Sequence, residues 1–301
     1  MRRHLPFAVA LTAVATILFG CAAPGTSTAP TSAGGSTATA TQPTAVAGGL
    51  LDKVLKAGKI VVSTDPAYPP QSELNAADGT YQGFDIDVAT EVAKRLGLTV
   101  EWQTPSWDAI TAGGWGGRWD MSVGSMTITP ERAKVLDFSP PYYYTPAQMA
   151  ASTHSGITTL EGMAGKTVCA GESTTYYQWL TGTLDFGPGG KPPPPPSGIT
   201  AVTLTSDRDC AVQWQSGRFD FDGWLSSITT VEGAITDGLP LVKVGDPVYL
   251  EPLAVAVDKS GPNDADFIAW LKPTIEAMHA DGTLKAFSQK WFKADFTTST
   301  Q

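Results

Sequence analysis

Histidine and cysteine are scarce in this chain, with three of each among 301 residues. His4 sits at the N-terminus, and His154 and His279 are far apart in sequence. That supply is too thin for a zinc or haem centre, so no metal or cofactor is expected. Charge is also sparse: Asp, Glu, Lys and Arg make up 16% of the chain. Twenty basic residues face 29 acidic ones, for a net charge of −9. An acidic surface of that kind argues against nucleic acid or anionic membrane surfaces as partners. No G-x-x-x-x-G-K-[ST] run occurs, so any nucleotide-driven step belongs to another chain. No Ser-His-Asp or Cys-His constellation is legible. The apolar run from Leu5 to Phe19 is too short to span a bilayer comfortably.

What is present is organised in blocks. Hydrophobic residues make up 42% of the chain, and its length suits two modest domains. Residues 1–20 read as an export signal: Arg2, Arg3 and His4 precede the apolar run. The run ends Leu18-Phe19-Gly20-Cys21, similar to a bacterial lipobox, although Phe19 is bulkier than the usual occupant. Cys21 is therefore the expected lipidation site, and the alternative is an ordinary signal peptide with an incidental cysteine. Lipidation would hold the protein on the outer face of the cell membrane, periplasmic or extracellular, without a transmembrane helix. Residues 21–49 comprise that cysteine and a tract of Ala, Thr, Ser, Gly and Pro, read as a disordered tether.

Beyond the tether, β-rich runs alternate with helical patterns. Strands are expected at Lys59–Thr64, Leu98–Trp102 and Trp119–Val123, with helices at Leu51–Ala57, after Gly83, and from Trp107. Asp65 to Pro70 reads as a loop, because its three prolines exclude regular structure. The alternation predicts an α/β fold with a largely parallel sheet, whose ligands sit at the carboxyl ends of strands. At one such end lies the stretch Val123 to Arg132, which gathers Ser125, Met126, Thr127, Thr129 and Arg132. An arginine fork binds both oxygens of a carboxylate, and hydroxyls fill the remaining lone pairs. The same stretch also reads as a helix start, with Thr129 as N-cap and Pro130 at the first helical position. Further on, strands are expected at Gly165–Ala170, Ile199–Leu204, Arg218–Trp224 and Leu241–Val244, with helices at Tyr176–Leu180 and Ser206–Gln215. The proline-rich stretch 187–198 reads as a surface loop. Cys169 falls on an expected strand and Cys210 on an expected helix. An exported compartment permits a bridge between them, which is favoured over two buried thiols.

Five segments in order carry a resemblance: Asp65-Pro66-Ala67-Tyr68-Pro69-Pro70, Gly83-Phe84-Asp85-Ile86-Asp87, Trp107-Asp108-Ala109-Ile110, Met126 to Arg132, and Asp137-Phe138-Ser139-Pro140-Pro141-Tyr142. Together they resemble the family 3 extracellular solute-binding proteins, the polar amino-acid receptors of ABC importers. The resemblance covers about residues 51–293. It implies a two-lobed α/β fold of the periplasmic-binding-protein type II, with lobes joined by two crossing strands. The expected division is a first lobe at 50–147, a second at 148–250, a return strand and the rest of the first lobe at 251–297, and a tail at 298–301.

By this resemblance Arg132 clamps a ligand carboxylate and Thr127 assists it. Ser125 faces the ligand's ammonium, Tyr68 and Trp107 sandwich its aliphatic part, and Asp65 lies near its side chain. Thr174 and Thr175 complete the carboxylate cage from the second lobe, with Glu172 close by. The family's ammonium-binding aspartate, counted from Gly217-Arg218-Phe219-Asp220, falls on Leu225, next to Ser226. Asp222 is the nearest substitute. The implied partners are a small carboxylate ligand, a permease and an ATPase, with the receptor a monomer and not an enzyme. The alternatives are an exported dehydratase on the same fold, or a sensing lobe without transport.

Overall fold

A computed structural model describes residues 43–299. The expected export signal, the lipidated Cys21, most of the expected tether and the last two residues lie outside the described residues.

The first lobe opens with helix α1 (Leu50–Ala57), which buries Leu50, Leu51 and Val54 along one face and ends at left-handed Gly58. Strand β1 (Lys59–Ser63) follows. A small antiparallel sheet comes next, made of β2 (Ala67–Tyr68), β3 (Ser72–Leu74) and β4 (Tyr81–Gln82). Helix α2 (Phe84–Arg95), β5 (Thr99–Gln103), α3 (Trp107–Thr111), β6 (Met121–Thr127) and β7 (Leu136–Phe138) complete this part. Strand β8 (Tyr143–Ser152) runs into the second lobe, which holds β9 (Thr167–Gly171), α4 (Thr175–Leu180), β10 (Thr200–Leu204), α5 (Asp209–Gln215), β11 (Gly223–Ser227), α6 (Ile228–Thr236) and β12 (Leu241–Lys243). Strand β13 (Tyr249–Asp258) returns to the first lobe, closed by α7 (Ala265–Ala280) and α8 (Thr283–Phe292).

The large sheet runs β10-β9-β11-β8-β13-β6-β1-β5, with β12 on β8 and β7 on β13. β1 is parallel to β5 and β6, and β9 is parallel to β10 and β11. The two crossing strands pair antiparallel at the centre, Leu253 opposite Tyr143 and Tyr249 opposite Ala147. Each half therefore has its own parallel sheet and its own core. One core gathers Phe84, Tyr142, Tyr143 and Phe267. The second lobe buries Met149, Trp179 and Leu225 on one face of its sheet, and Trp214, Trp224 and Val231 on the other. The Cys169–Cys210 disulfide ties β9 to α5 on the second of those faces, with Cα atoms 5.9 Å apart.

Several local expectations give way to the structure. The proline-rich segment after β1 contains β2, because Ala67 and Tyr68 pair with Glu73 and Ser72. Thr129 does cap a turn, its Oγ1 accepting from Arg132 N–H at 3.3 Å, but only one 3-10 turn (Arg132–Lys134) follows. The strand expected at Arg218–Trp224 starts five residues later, at Gly223. Phe219 is exposed, and Phe221 sits against Trp214, which donates its indole N–H to the Phe221 carbonyl at 3.1 Å. Helix α6 was not expected. Its sequence, rich in Thr, Ile and Val with one Gly, is a weak helix former, and the Ser227 side chain caps it by accepting from Thr230 N–H. The proline run is a surface loop, fastened where the Trp179 indole donates to the Pro193 carbonyl at 2.7 Å. Among the described residues, no helix is long and apolar enough to cross a membrane.

Candidate functional site

The carboxyl ends of the parallel strands in the two lobes face one another, and a pocket lies between them. Asp65 and Tyr68 reach it from the chain after β1, Trp107 from the start of α3, and Ser125, Thr127 and Arg132 from the end of β6 and the turn beyond. Across the cleft stand Thr174 and Thr175 at the start of α4, with Glu172 beside them. These are eight of the residues expected at the site, together with the neighbouring glutamate.

Two expected residues are not brought there. The Met126 side chain is fully buried in a first-lobe cluster with Ile110, Trp115 and Trp119. Asp222 precedes β11, at the far end of the second-lobe strands. Its carboxylate accepts from the backbone N–H of Thr167 and its carbonyl from Ser152 N–H. Leu225, where the family aspartate was counted, lies mid-strand in the core. The late start of β11 explains both misplacements: the end of the strand that faces the cleft carries Ser226 and Ser227.

Arg132 is 5% exposed and placed between the lobes. Its Nη1 donates to the Thr127 carbonyl at 2.9 Å, and its Nη2 crosses the cleft to the Ser173 carbonyl at 3.0 Å. The guanidinium lies 5.6 Å from the centre of the Trp107 ring, within cation–π range. Burial lowers its pKa to about 10, partly offset by Glu251, so it remains a cation at neutral pH. With two of its five N–H groups committed, the rest are available to an anion. The Trp107 indole N–H is buried without a hydrogen-bond partner.

Ser125 holds a left-handed backbone, φ 55°, which costs a non-glycine residue ~1–2 kcal/mol. A buried network holds it there. Tyr142 Oη accepts from Ser125 N–H at 3.0 Å and donates to Asp85 at 2.7 Å, while Ser125 Oγ donates to the other Asp85 oxygen at 2.7 Å. Burial raises the Asp85 carboxyl to about 7. Gly83 admits this helix start because a Cβ there would lie 2.2 Å from the Gln71 carbonyl oxygen.

Three site groups carried no legible signal. Glu251, on β13 at the floor of the cleft, accepts from Thr127 of the first lobe at 2.7 Å and from Thr175 of the second. Its other oxygen is buried without a partner, and burial raises its pKa. Tyr176 hydroxyl stands 3.5 Å from that of Tyr68, across the cleft. Asp207, in the turn between β10 and α5, lines the pocket and is 6% exposed. In sequence Ser206-Asp207 looks like an ordinary helix start.

Two parallel-sheet lobes on a pair of crossing strands, with facing half-sites, enclose a binding cleft between them. The sequence matches the bacterial extracellular solute-binding proteins, family 3, over residues 60–294, and the chain belongs to that family. Among its relatives is the L-cystine-binding protein TcyJ of Escherichia coli (strain K12), 29% identical over 251 residues, 83% of this chain and 88% of that protein. Among solved structures, an ABC uptake transporter substrate-binding protein from Streptococcus pneumoniae with bound histidine superposes with a TM-score of 0.71, covering 84% of this chain and 100% of that one, at 24% identity. The ancestral amino acid-binding protein AncCDT-1, a precursor of cyclohexadienyl dehydratase, superposes with a TM-score of 0.65 at 28% identity, covering 80% and 98%.

Proposed function

We propose that this protein is an exported receptor that closes over one α-amino acid and hands it to a membrane permease driven by an ATPase. The observation that carries the reading is Arg132, a buried guanidinium between the lobes with free donors and hydroxyls on both sides. Thr127 stands beside it on the first lobe and Thr175 across the cleft on the second, both fixed by Glu251. Such a constellation suits a small carboxylate. Trp107 and Tyr68 offer flat apolar faces for the ligand's carbon chain. The relative named for binding L-cystine supports an amino acid as ligand.

In this reading the protein binds and releases its ligand unchanged. The likeness to AncCDT-1 supports binding over turnover, since that protein is itself an amino acid-binding protein. Attachment through Cys21 and an outer-face location complete the proposal, on the strength of the N-terminal sequence pattern, and the family resemblance adds a monomeric state. The test is Arg132→Ala. Calorimetry is expected to show loss of amino acid binding by roughly a hundredfold or more, the scale for removing one partner of a buried charge pair. Circular dichroism should show the variant folded. Unchanged affinity would remove the assigned site.

A further inference from the structure

The pocket has a clear anion grip and, at first sight, no matching grip for an ammonium group. The resemblance places an aspartate on Leu225, which is in the core, and the cleft end of that strand carries Ser226 and Ser227. Ser227 is fully engaged. It caps α6, and Gln71 and Tyr68 of the first lobe both donate to its hydroxyl, at 3.1 and 3.2 Å.

A carboxylate nevertheless occupies this corner, delivered by a different element. Asp207 comes from the turn after β10, and its side chain lies against the cleft end of β11. Ser226 Oγ donates to its Oδ2, and the Trp224 indole donates to Oδ1 at 3.4 Å. Gly171 N–H, at the end of β9, donates to the same Oδ1 at 3.0 Å. That approach depends on glycine, because a Cβ at position 171 would lie 3.0 Å from Asp207 Cβ. Three neutral donors on two strands thus fix the carboxylate in one orientation. A carboxylate has about four lone-pair sites, so one is left over. No Lys, Arg or His pairs with Asp207 among the described residues. Glu251, Tyr68, Tyr176 and Tyr249 stand around it and none supplies a positive charge; Arg208, next in the chain, is engaged by Asp237 and the Pro69 carbonyl, and Asp65 lines the same pocket.

We propose that Asp207 is the ammonium acceptor of this pocket, taking from the β10–α5 turn a task that β11 does not perform here. This rests on the amino-acid reading of the site. The ligand would then lie between Arg132 and Asp207, its carboxylate toward the first and its ammonium toward the second. Burial holds the Asp207 carboxyl up at about 7. An ammonium beside it restores the ionised form, so at neutral pH binding expels part of a proton.

The experiment compares each of L-arginine, L-histidine and L-cystine with its des-amino counterpart: guanidinopentanoate, imidazolepropionate and dithiodipropionate. Titrations use the full protein and Asp207→Asn. For whichever amino acid binds, the wild type should prefer it over its counterpart by about a hundredfold. Asp207→Asn should lose about that factor for the amino acid and keep the affinity of the counterpart. Retention of the counterpart also shows that the variant's pocket is folded. If the amino acid's affinity is unchanged in the variant, or the wild type does not discriminate, the Asp207 assignment is overturned while the receptor reading stands. If none of the common L-amino acids nor L-cystine binds the wild type, both fall. Should Asp207→Asn not fold, Asp207→Ser takes its place, with the same outcomes deciding. Calorimetry at pH 7 in two buffers of different ionisation enthalpy should show proton release with the amino acid and less with its counterpart. Equal proton release shows that Asp207 does not change its ionisation on binding, and the affinities then decide the assignment.

Discussion

Asp85 and Ser125 show how the first half-site is built at the scale of single residues. Ser125 is held in a backbone conformation it would not choose, and the Asp85–Tyr142–Tyr143 cluster supplies the restraint. That restraint has a pH signature. The folded pKa of Asp85, about 7, lies above the ordinary carboxyl value, so between pH 4 and 7 the native state holds a proton that the unfolded chain has lost. The stabilisation is fully present below the unfolded value and fades as pH rises through 7. Asp207 acts in the same direction. The ligand-free protein should therefore lose melting temperature from pH 5 to pH 8. Asp85→Asn should flatten part of that slope, which melting curves at three or four pH values will check. An unchanged slope would mean that Asp85 does not titrate in this window. Arg132, Thr127, Ser125, Tyr68 and Trp107 were legible in the sequence because each belongs to a short local motif. Asp207, Glu251 and Tyr176 were not. Their place in the cleft depends on which strands lie side by side, which no local spacing encodes.

At the scale of elements, most strands and helices follow from hydrophobic pattern and glycine stops, as α1, β1 and α2 show. The failure at β11 is instructive. Phe219-Asp220-Phe221 alternates like a strand, yet the tertiary fit of Phe221 against Trp214 ends α5 with a loop and delays the strand to Gly223. That displacement moved the count for the ammonium site into the core. The same region is fastened by the Cys169–Cys210 bridge, which joins β9 to α5 across a sequence separation of 41. Closing a loop of that length in the unfolded chain is worth about 3–4 kcal/mol. The Cys169→Ala, Cys210→Ala double variant should be less stable by roughly that amount in denaturant unfolding, with ligand affinity lowered only through loosening of Asp207 and Gly171. A change under about 1 kcal/mol would show that the bridge does not restrain the unfolded chain as argued.

Over the whole molecule, the lobes meet in a closed arrangement. Gln71 of the first lobe reaches into the start of α6, donating to Thr229 Oγ1 at 2.7 Å and accepting from Thr230 Oγ1 at 3.1 Å. Arg132 crosses to Ser173, and Glu251 bonds both lobes from the hinge strand. These direct bonds favour closure modestly, since open lobes would hydrogen-bond water instead. A ligand that touches both lobes only when they are closed supplies the remaining bias. In the proposed receptor this bias comes from a single α-amino acid held between Arg132 and the second lobe. The most direct test is calorimetric titration of the wild-type protein with the common L-amino acids and L-cystine. At least one is expected to bind at one site per chain, and a thousandfold excess over its dissociation constant to stabilise the fold by about 4 kcal/mol. Absence of binding across that set, by a protein shown to be folded, would contradict it.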